Sequence, residues 1–579
     1  MVRSRGVNLL TTFLGRTDVI SFRDLIRNAW YTFTNPLRRL RRRGMDYVRI
    51  PLAGSFPERR ERERLPFPWS LLPWAAAEMS LETLNQRLER LAADPRVRGV
   101  VLTLDGLAAG PATVRSLRQA VLRFRQHGKQ AVAYLTQVTT WRLYLASAAD
   151  EILLPESAIF AATGLRVEAT FLKDTLALLG LEADIEALLE YKVSPDRFRR
   201  SEMSDAHREM LDAILDDQYA EVVAVIAEGR GLTEEAVRQA MDDAPLTAQE
   251  TVERSLADAV MYEDELGTYL GTPGRPATVA TWQEVRRRLV RPRRWRARQV
   301  IGVVSVEGII VPGASHRLPI PLPLPFSEQT GADTVIQALR QAERDKRIAA
   351  IVLHVDSPGG SALASDLIWR EVLRLQKRKP VVTYMGNVAA SGGYHVSVPA
   401  NHIVAQATTL TGSIGIWGGK IVTAGLYEKL SAHREVLQRG RAASLYSDAA
   451  PFSDAEREKM RRSLEDGYAR FKARVAEGRR MEIKRVAEIA RGRVWTGRQA
   501  LERGLVDELG DLQAAVEKAR SLAGLDARRY VPVVPVRPGK RYAPPMPFDG
   551  QVAWLHGLRP LLRERIFALL PWDIRLRDA

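Results

Sequence analysis

The chain predicts an α/β fold with largely parallel strands, built twice in tandem. Three observations carry this: short β-branched strands alternate with helices, glycine-rich turns follow several strands, and the two halves align at a nearly constant offset. In the second half, Ile351–Val355 reads as a strand, Ala364–Gln376 as a helix and Val381–Tyr384 as the next strand. Such alternation builds parallel sheets with crossover helices.

The duplication is read directly from the residues. RGVVLTLDGLAAG (98–110) aligns with AAIVLHVDSPGGS (349–361), which sets Asp105 opposite Asp356, an offset of 251. The same offset sets Ile152 opposite Ile403 and, with one residue of slack, AVAYLTQ opposite VVTYMGN. SDAHREM (204–210) matches SDAEREKM (453–460) at an offset of 249. YVRIPLAG (47–54) matches VVSVEG (303–308) as a first strand ending in glycine. The expected divisions are a basic amphipathic segment (1–45), a first repeat (46–270), a basic linker (271–298), a second repeat (299–530) and a proline-rich amphipathic tail (531–579).

Composition bounds the chemistry. The 579 residues carry no cysteine, which excludes disulfides and thiolate metal sites. The eight histidines form no HExxH or related pair, so no metal is expected. A net charge of +17 favours anionic partners. The charge is clustered at Arg38–Arg43 and between Arg286 and Arg298. No helix-turn-helix, zinc or RNP pattern accompanies it, so nucleic acid is not an expected partner.

Two ends look suited to a surface. In SFRDLIRNAWYTF (21–33), Phe22, Leu25, Ile26, Ala29, Trp30 and Phe33 share one helical face, and arginines follow. That pattern fits an interfacial helix in the lipid headgroup layer, or a helix packed on its own domain. Val552–Trp572 is similar. The loops at 65–74 and 318–326 are too rich in proline for helices. No stretch reaches the roughly 18 apolar residues that cross a bilayer, and the N-terminus lacks a signal-type apolar region. Peripheral attachment, at the cytoplasmic membrane face, is the expectation.

Three glycine-bearing motifs fall in the second repeat: HVDSPGGSA (354–362), NVAASGGYHVSV (387–398) and TLTGSIGIWGG (409–419). Paired glycines after a strand let the backbone approach a ligand with its N–H groups outward. A serine before Gly392-Gly393 and an apolar stretch stands at a helix start, where backbone N–H groups favour developing negative charge.

DSPGG, AASGGY and TGSIG in a duplicated chain resemble the long form of signal peptide peptidase A, peptidase family S49 of the ClpP/crotonase-like superfamily. The resemblance covers roughly residues 45–530 and implies two tandem ClpP/crotonase-like repeats and a serine endopeptidase with a Ser/Lys dyad. It makes Ser391 the nucleophile. Lys192, in EYKVSPDRFRRSEMS, becomes the general base, with Val193 where the family usually has serine. Ser413 would orient the lysine. The N–H groups of Gly392 and of Gly359 or Gly360 would form the oxyanion hole. The resemblance further implies hydrophobic peptide substrates such as cleaved signal peptides, a homotetramer, and no cofactor.

The duplication supplies an independent check. Thr140 falls opposite Ser391, DGLAAG lacks the glycine pair of DSPGG, and Arg441 falls opposite Lys192. Arginine stays protonated and cannot act as a base. Each half lacks what the other retains, as expected of one composite site. The lysine must be neutral, which requires burial to lower its pKa from ~10.4. A crotonase-like acyl-CoA enzyme, or a membrane scaffold with a dead site, are the alternatives.

Overall fold

The computed structural model describes residues 22–40, 44–59, 79–317, 328–538, 566–569 and 577–578. The proline-rich loops at 65–74 and 318–326, Arg41–Arg43 and most of Val552–Trp572 lie outside the described residues.

Each repeat is built on a parallel sheet. The first orders its strands as Ala259–Val260, Glu151–Leu154, Gln130–Tyr134, Gly99–Thr103, Tyr47–Pro51 and Val279–Thr281, all parallel. The second repeats that order with Glu508–Leu509, His402–Ala405, Val381–Ala390, Ile348–Ser357, Val300–Glu307 and Val533–Pro535. Strands such as Gly99–Thr103 and Ile348–Ser357 are buried almost throughout, which explains their continuous apolar runs. Helices cover the sheets: Pro111–Arg125 and Ala362–Leu375 occupy equivalent places. Two helices of 26 residues, Asp205–Arg230 and Asp454–Arg479, close the repeats. Each opens on a serine cap, Ser204 or Ser453. Each also ends on a residue of positive φ, Gly231 or Arg480.

The segment at 271–298 does more than link. Val279–Thr281 completes the first sheet beside Tyr47–Pro51, as Val533–Pro535 completes the second beside Val300–Glu307. The first repeat therefore runs past residue 270 and the second past 530, because each returns its last strand to its own first strand. Within Val552–Trp572, the described residues Ile566–Leu569 form a strand, where an amphipathic stretch like that of residues 21–33 was expected.

The repeats are joined through a third sheet that draws on both. Glu182–Ala187 of the first repeat pairs antiparallel with Trp417–Val422 of the second, from Ala187↔Trp417 to Glu182↔Val422. EADIEA has little intrinsic strand preference. Its acidic side chains are instead held from across the interface: Arg457 contacts Asp184 at 2.9 Å and Glu186 at 2.5 Å. Asp184 also accepts the Phe452 N–H at 2.6 Å.

Candidate active site

Ser391 lies between the end of the strand Val381–Ala390 and the start of the helix Gly392–Ser397. Its backbone takes φ 56, ψ −112, a strained region for a residue with a side chain. Two backbone bonds hold it: Ser391 N–H donates to Gly412 O at 2.8 Å, and its carbonyl accepts from His395 N–H at 2.8 Å. Glycine is required just after it, since a Cβ on Gly393 would come within 2.6 Å of the Ser357 carbonyl oxygen. The turn therefore lifts the serine hydroxyl above tightly packed backbone.

Lys192 reaches the same point from the other repeat. It follows the exchanged strand Glu182–Ala187 and a turn in which its N–H donates to Leu189 O at 3.1 Å. Lys192 Nζ lies 2.6 Å from Ser391 Oγ, 2.9 Å from Ser413 Oγ and 3.0 Å from the Ser413 carbonyl oxygen. A neutral amine has two N–H donors and one lone pair. Its hydrogens suit the two Ser413 oxygens, and its lone pair suits the Ser391 hydroxyl. Lys192 is 1% exposed, and burial holds its amine well below the usual lysine range.

Ser413 also has positive φ, at 50°, and its N–H donates to the Arg493 carbonyl at 2.7 Å. Val193, the departure from the family pattern, is buried with Met210, Ile214, Ala390, Leu410 and Val494. That apolar cluster flanks both Lys192 and Ser391 in sequence and helps keep water from the amine.

The glycine loop stands beside the serine. Gly359 has φ 101, and its N–H donates to Ser357 Oγ at 3.1 Å. Gly360 packs so closely on the neighbouring strand that a Cβ would lie 2.0 Å from the Ile310 carbonyl oxygen. Gly392 occupies the first turn of its helix, where an N–H has no intrahelical acceptor. The strand Gly359–Ser361 and the residues Trp417–Gly418 both pair antiparallel with Ile566–Leu569. An extended segment of this chain thus lies in the slot between them.

The residues singled out from sequence, Ser391, Lys192, Ser413, Gly359, Gly360 and Gly392, belong to this one region. Gly492 was not legible in advance, and Gly415, although part of TGSIG, had no role of its own assigned. Gly492 has φ 80, and a Cβ there would come within 2.6 Å of Lys192 N. A Cβ on Gly415 would meet Leu189 Cδ1 at 2.8 Å. Both glycines let the lysine segment seat against the second repeat.

The corresponding place in the first repeat is closed. Thr140 is buried, and its hydroxyl donates to the Gly164 carbonyl at 2.9 Å. Ala108 and Ala109 stand where the second repeat has Gly359 and Gly360, and Arg441 is exposed.

A buried serine on a strained strand-to-helix turn, touching a buried amine, has the arrangement that a nucleophilic serine hydrolase requires. The family model of peptidase family S49 matches twice, at residues 123–271 and 374–526, and the chain belongs to that family as a duplicated serine peptidase. It is 32% identical to the chloroplastic serine protease SPPA of Arabidopsis thaliana over 79% of this chain and 68% of that protein. It is 31% identical to protease 4 of Haemophilus influenzae, over 74% of this chain and 71% of that protein. Protease 4 of Salmonella typhi is 30% identical over 77% of this chain and 73% of its own length.

Proposed function

We propose that the chain is an endopeptidase in which Ser391 is the nucleophile and Lys192 the general base. The observation that carries this is the 2.6 Å approach of Lys192 Nζ to Ser391 Oγ, with both side chains buried. The neutral amine takes the hydroxyl proton as Oγ attacks the substrate carbonyl. The tetrahedral oxyanion is met by the N–H of Gly392 and that of Gly360, the Gly359 N–H being given to Ser357 Oγ. Lys192 then returns the proton to the leaving amine, which departs and leaves an acyl-enzyme. Water, deprotonated by the same amine, then attacks the ester carbonyl, the C–Oγ bond breaks, and Lys192 returns that proton to Ser391 Oγ as the acid leaves. Ser413 fixes the lone pair of Lys192 toward Ser391 through its hydroxyl and carbonyl.

The substrate class is hydrophobic peptides in extended form, including cleaved signal peptides. The slot between Gly359–Ser361 and Trp417–Gly418 supports it, because both sides already pair with an antiparallel strand, Ile566–Leu569. A substrate would take that place by strand addition. Leu363 and Leu367 are exposed on the helix that follows the slot. An acyl-CoA enzyme of related fold would need an oxyanion hole but no contact between a buried amine and a serine hydroxyl.

The test uses Ser391→Ala and Lys192→Met with an unstructured apolar peptide and a fluorophosphonate probe. Both variants lose hydrolysis, and mass spectrometry places the probe of the parent protein on Ser391. Hydrolysis that survives Ser391→Ala removes the reading. A parent protein that neither cleaves nor labels would be a scaffold.

The assembly we propose is a homotetramer closed head to tail. The exchanged pair within the chain supports it. At the repeat offset of 251, Glu182–Ala187 corresponds to 433–438, and Trp417–Val422 corresponds to 166–171. Residues 433–438 are exposed and belong to no helix or strand, with Leu437 95% accessible. Among the described residues, no strand pairs with 433–438 or with 167–171. Placing 433–438 of one copy on 166–171 of the next repeats the internal pairing, a heterologous contact that forms a ring where its rotation closes.

A further inference from the structure

The N-terminal helix Phe22–Leu40 is mounted the wrong way round for a soluble protein. A helix on a globular surface turns its apolar stripe inward and its polar face to water. Here the polar residues face the protein. Asp24, Asn28 and Asn35 are buried. Asn28 Nδ2 donates to the Arg294 carbonyl at 3.1 Å, and its Oδ1 accepts the Arg294 N–H at 3.3 Å. Asn35 makes the same reciprocal pair with Arg291, at 3.0 and 3.1 Å. Asp24 accepts the Arg296 N–H at 2.9 Å, and Arg38 donates to the Leu289 carbonyl at 3.1 Å. These partners lie in the basic stretch between Arg286 and Arg298, so that stretch serves as the cradle of the helix.

The opposite face is apolar and open. Ile26, Trp30, Phe33, Leu37 and Leu40 are exposed along it, with Trp30 at 62% and Phe33 at 74%. Leu25 adds to the stripe, and Trp295 is exposed on the cradle itself. Exposed arginines stand beside the stripe: Arg39 on the helix, Arg291 with its guanidinium over the Tyr31 ring, and Arg293 donating to Thr32 Oγ1. From this inverted mounting we infer that the helix is a membrane-docking surface, which lies flat in the headgroup layer of an anionic phospholipid bilayer.

Charge selects the bilayer over a second copy. Two such patches placed face to face would bring like-charged arginine rims together, which opposes association. Anionic lipid headgroups neutralise the same rims. The 4-3-4-3 spacing of Ile26, Trp30, Phe33, Leu37 and Leu40 would suit a coiled-coil seam, but it extends only two heptads, where a seam needs three or four. Tryptophan and phenylalanine beside arginine are the residues of an interfacial helix. Among the described residues no helix is long and apolar enough to cross a membrane, so this surface would hold the protein by lying on the bilayer. The inference is independent of the peptidase reading, because its test measures partition and not hydrolysis.

The experiment is co-sedimentation of the full chain with vesicles of phosphatidylglycerol and phosphatidylcholine, and with phosphatidylcholine alone. Binding to the anionic vesicles is expected, weakened by salt and by removal of phosphatidylglycerol. The variant Trp30→Ser/Phe33→Ser, with side chains already in water, should keep its melting temperature and lose at least ~10-fold in partition. A protein that stays in the supernatant with anionic vesicles overturns the inference. So does a variant that binds as tightly as the parent. A variant that changes native mass at unchanged partition assigns the stripe to a second copy and overturns it as well. If that variant misfolds, quenching of parent tryptophan fluorescence by bromine-labelled lipid decides the matter: quenching supports the bilayer, and its absence removes it.

Discussion

The first and second repeats share their strand order, their crossover helices and their long closing helices, yet they have divided the chemistry. The second keeps Ser391 on a strained turn beside Gly359 and Gly360. The first has Thr140 in the equivalent place, with its hydroxyl committed to the Gly164 carbonyl. The first keeps Lys192 on a buried turn, whereas the second has Arg441 in solvent. The difference teaches that the scaffold and the site were under separate constraints. A parallel sheet needs every strand, so both copies retain them. The proposed composite site needs one amine and one hydroxyl, so on that reading each copy could lose the other group without loss of the fold.

The largest effect comes from making the lysine position like its counterpart. Lys192→Arg should abolish peptide hydrolysis, by at least ~10⁴-fold in kcat/KM, because guanidinium cannot accept a proton. It should also lower the melting temperature, since it leaves a charge buried without a partner. Lys192→Met should be equally inactive but more stable than the parent. The reverse experiment asks whether the first repeat can be revived. Thr140→Ser in a Ser391→Ala background should restore nothing, because Ala108 and Ala109 replace the glycine pair. Measurable turnover there would break the comparison and show a second competent site.

Ser413 comes next. Its hydroxyl lies 2.9 Å from the amine. Ser413→Ala should lower kcat about 10- to 100-fold, the scale of one buried hydrogen bond of 1–3 kcal/mol, and leave KM nearly unchanged. Steady-state kinetics on one peptide separates the two constants, and a rise in KM alone would contradict the orienting role.

The pieces of this arrangement were unequally legible. Ser391, Lys192 and Ser413 could be proposed together because AASGGY, EYKVSPDRFRRSEMS and TGSIG resemble the motifs of a known family, and glycines mark the turns around the two serines. The strand exchange could not, because EADIEA is a poor strand by composition and becomes one only through its partner Trp417–Val422 and the guanidinium of Arg457. Gly492 sits in the unremarkable run Arg-Gly-Arg, and its importance depends on a backbone approach from 300 residues away in the chain. The helix at residues 22–40 was visible as an apolar stripe, but the stripe alone does not say which face meets the protein. The asparagines at 28 and 35 decide that, and only their hydrogen bonds reveal it. The strand Val279–Thr281 was hidden by the arginines and prolines that follow it.

Protonation gives a smaller and graded effect. Burial lowers the Lys192 pKa, and in the proposed mechanism the neutral amine is the active form. The rate should therefore rise with pH through the lowered pKa and level off well below the usual lysine value of ~10.4. The stability sign follows from the same shift. Between the folded and unfolded pKa values the unfolded chain binds the extra proton, so stability rises with pH over that window. Lys192→Met removes the cost of keeping the amine neutral. Its advantage in melting temperature over the parent should be present at neutral pH and shrink as pH approaches ~10. An advantage that stays constant with pH would show that the amine is charged when folded.

The smallest effect on chemistry should come from the exposed counterpart of the lysine-bearing strand. Leu437 projects from the unpaired 433–438 segment, and Lys192, Ser391 and Ser413 all lie within one chain. Leu437→Asp should break the head-to-tail contact by placing a charge where an apolar side chain would be covered. Native mass measurement should then show copies separated from the tetramer, while the rate on a short soluble peptide falls by no more than a few-fold. If activity is lost with the assembly, the neighbouring copy must complete the site, and the two repeats are then less self-sufficient than the internal strand exchange implies. If the mass is unchanged, the 433–438 edge is not the contact between copies, and its likeness to Glu182–Ala187 is only a relic of duplication.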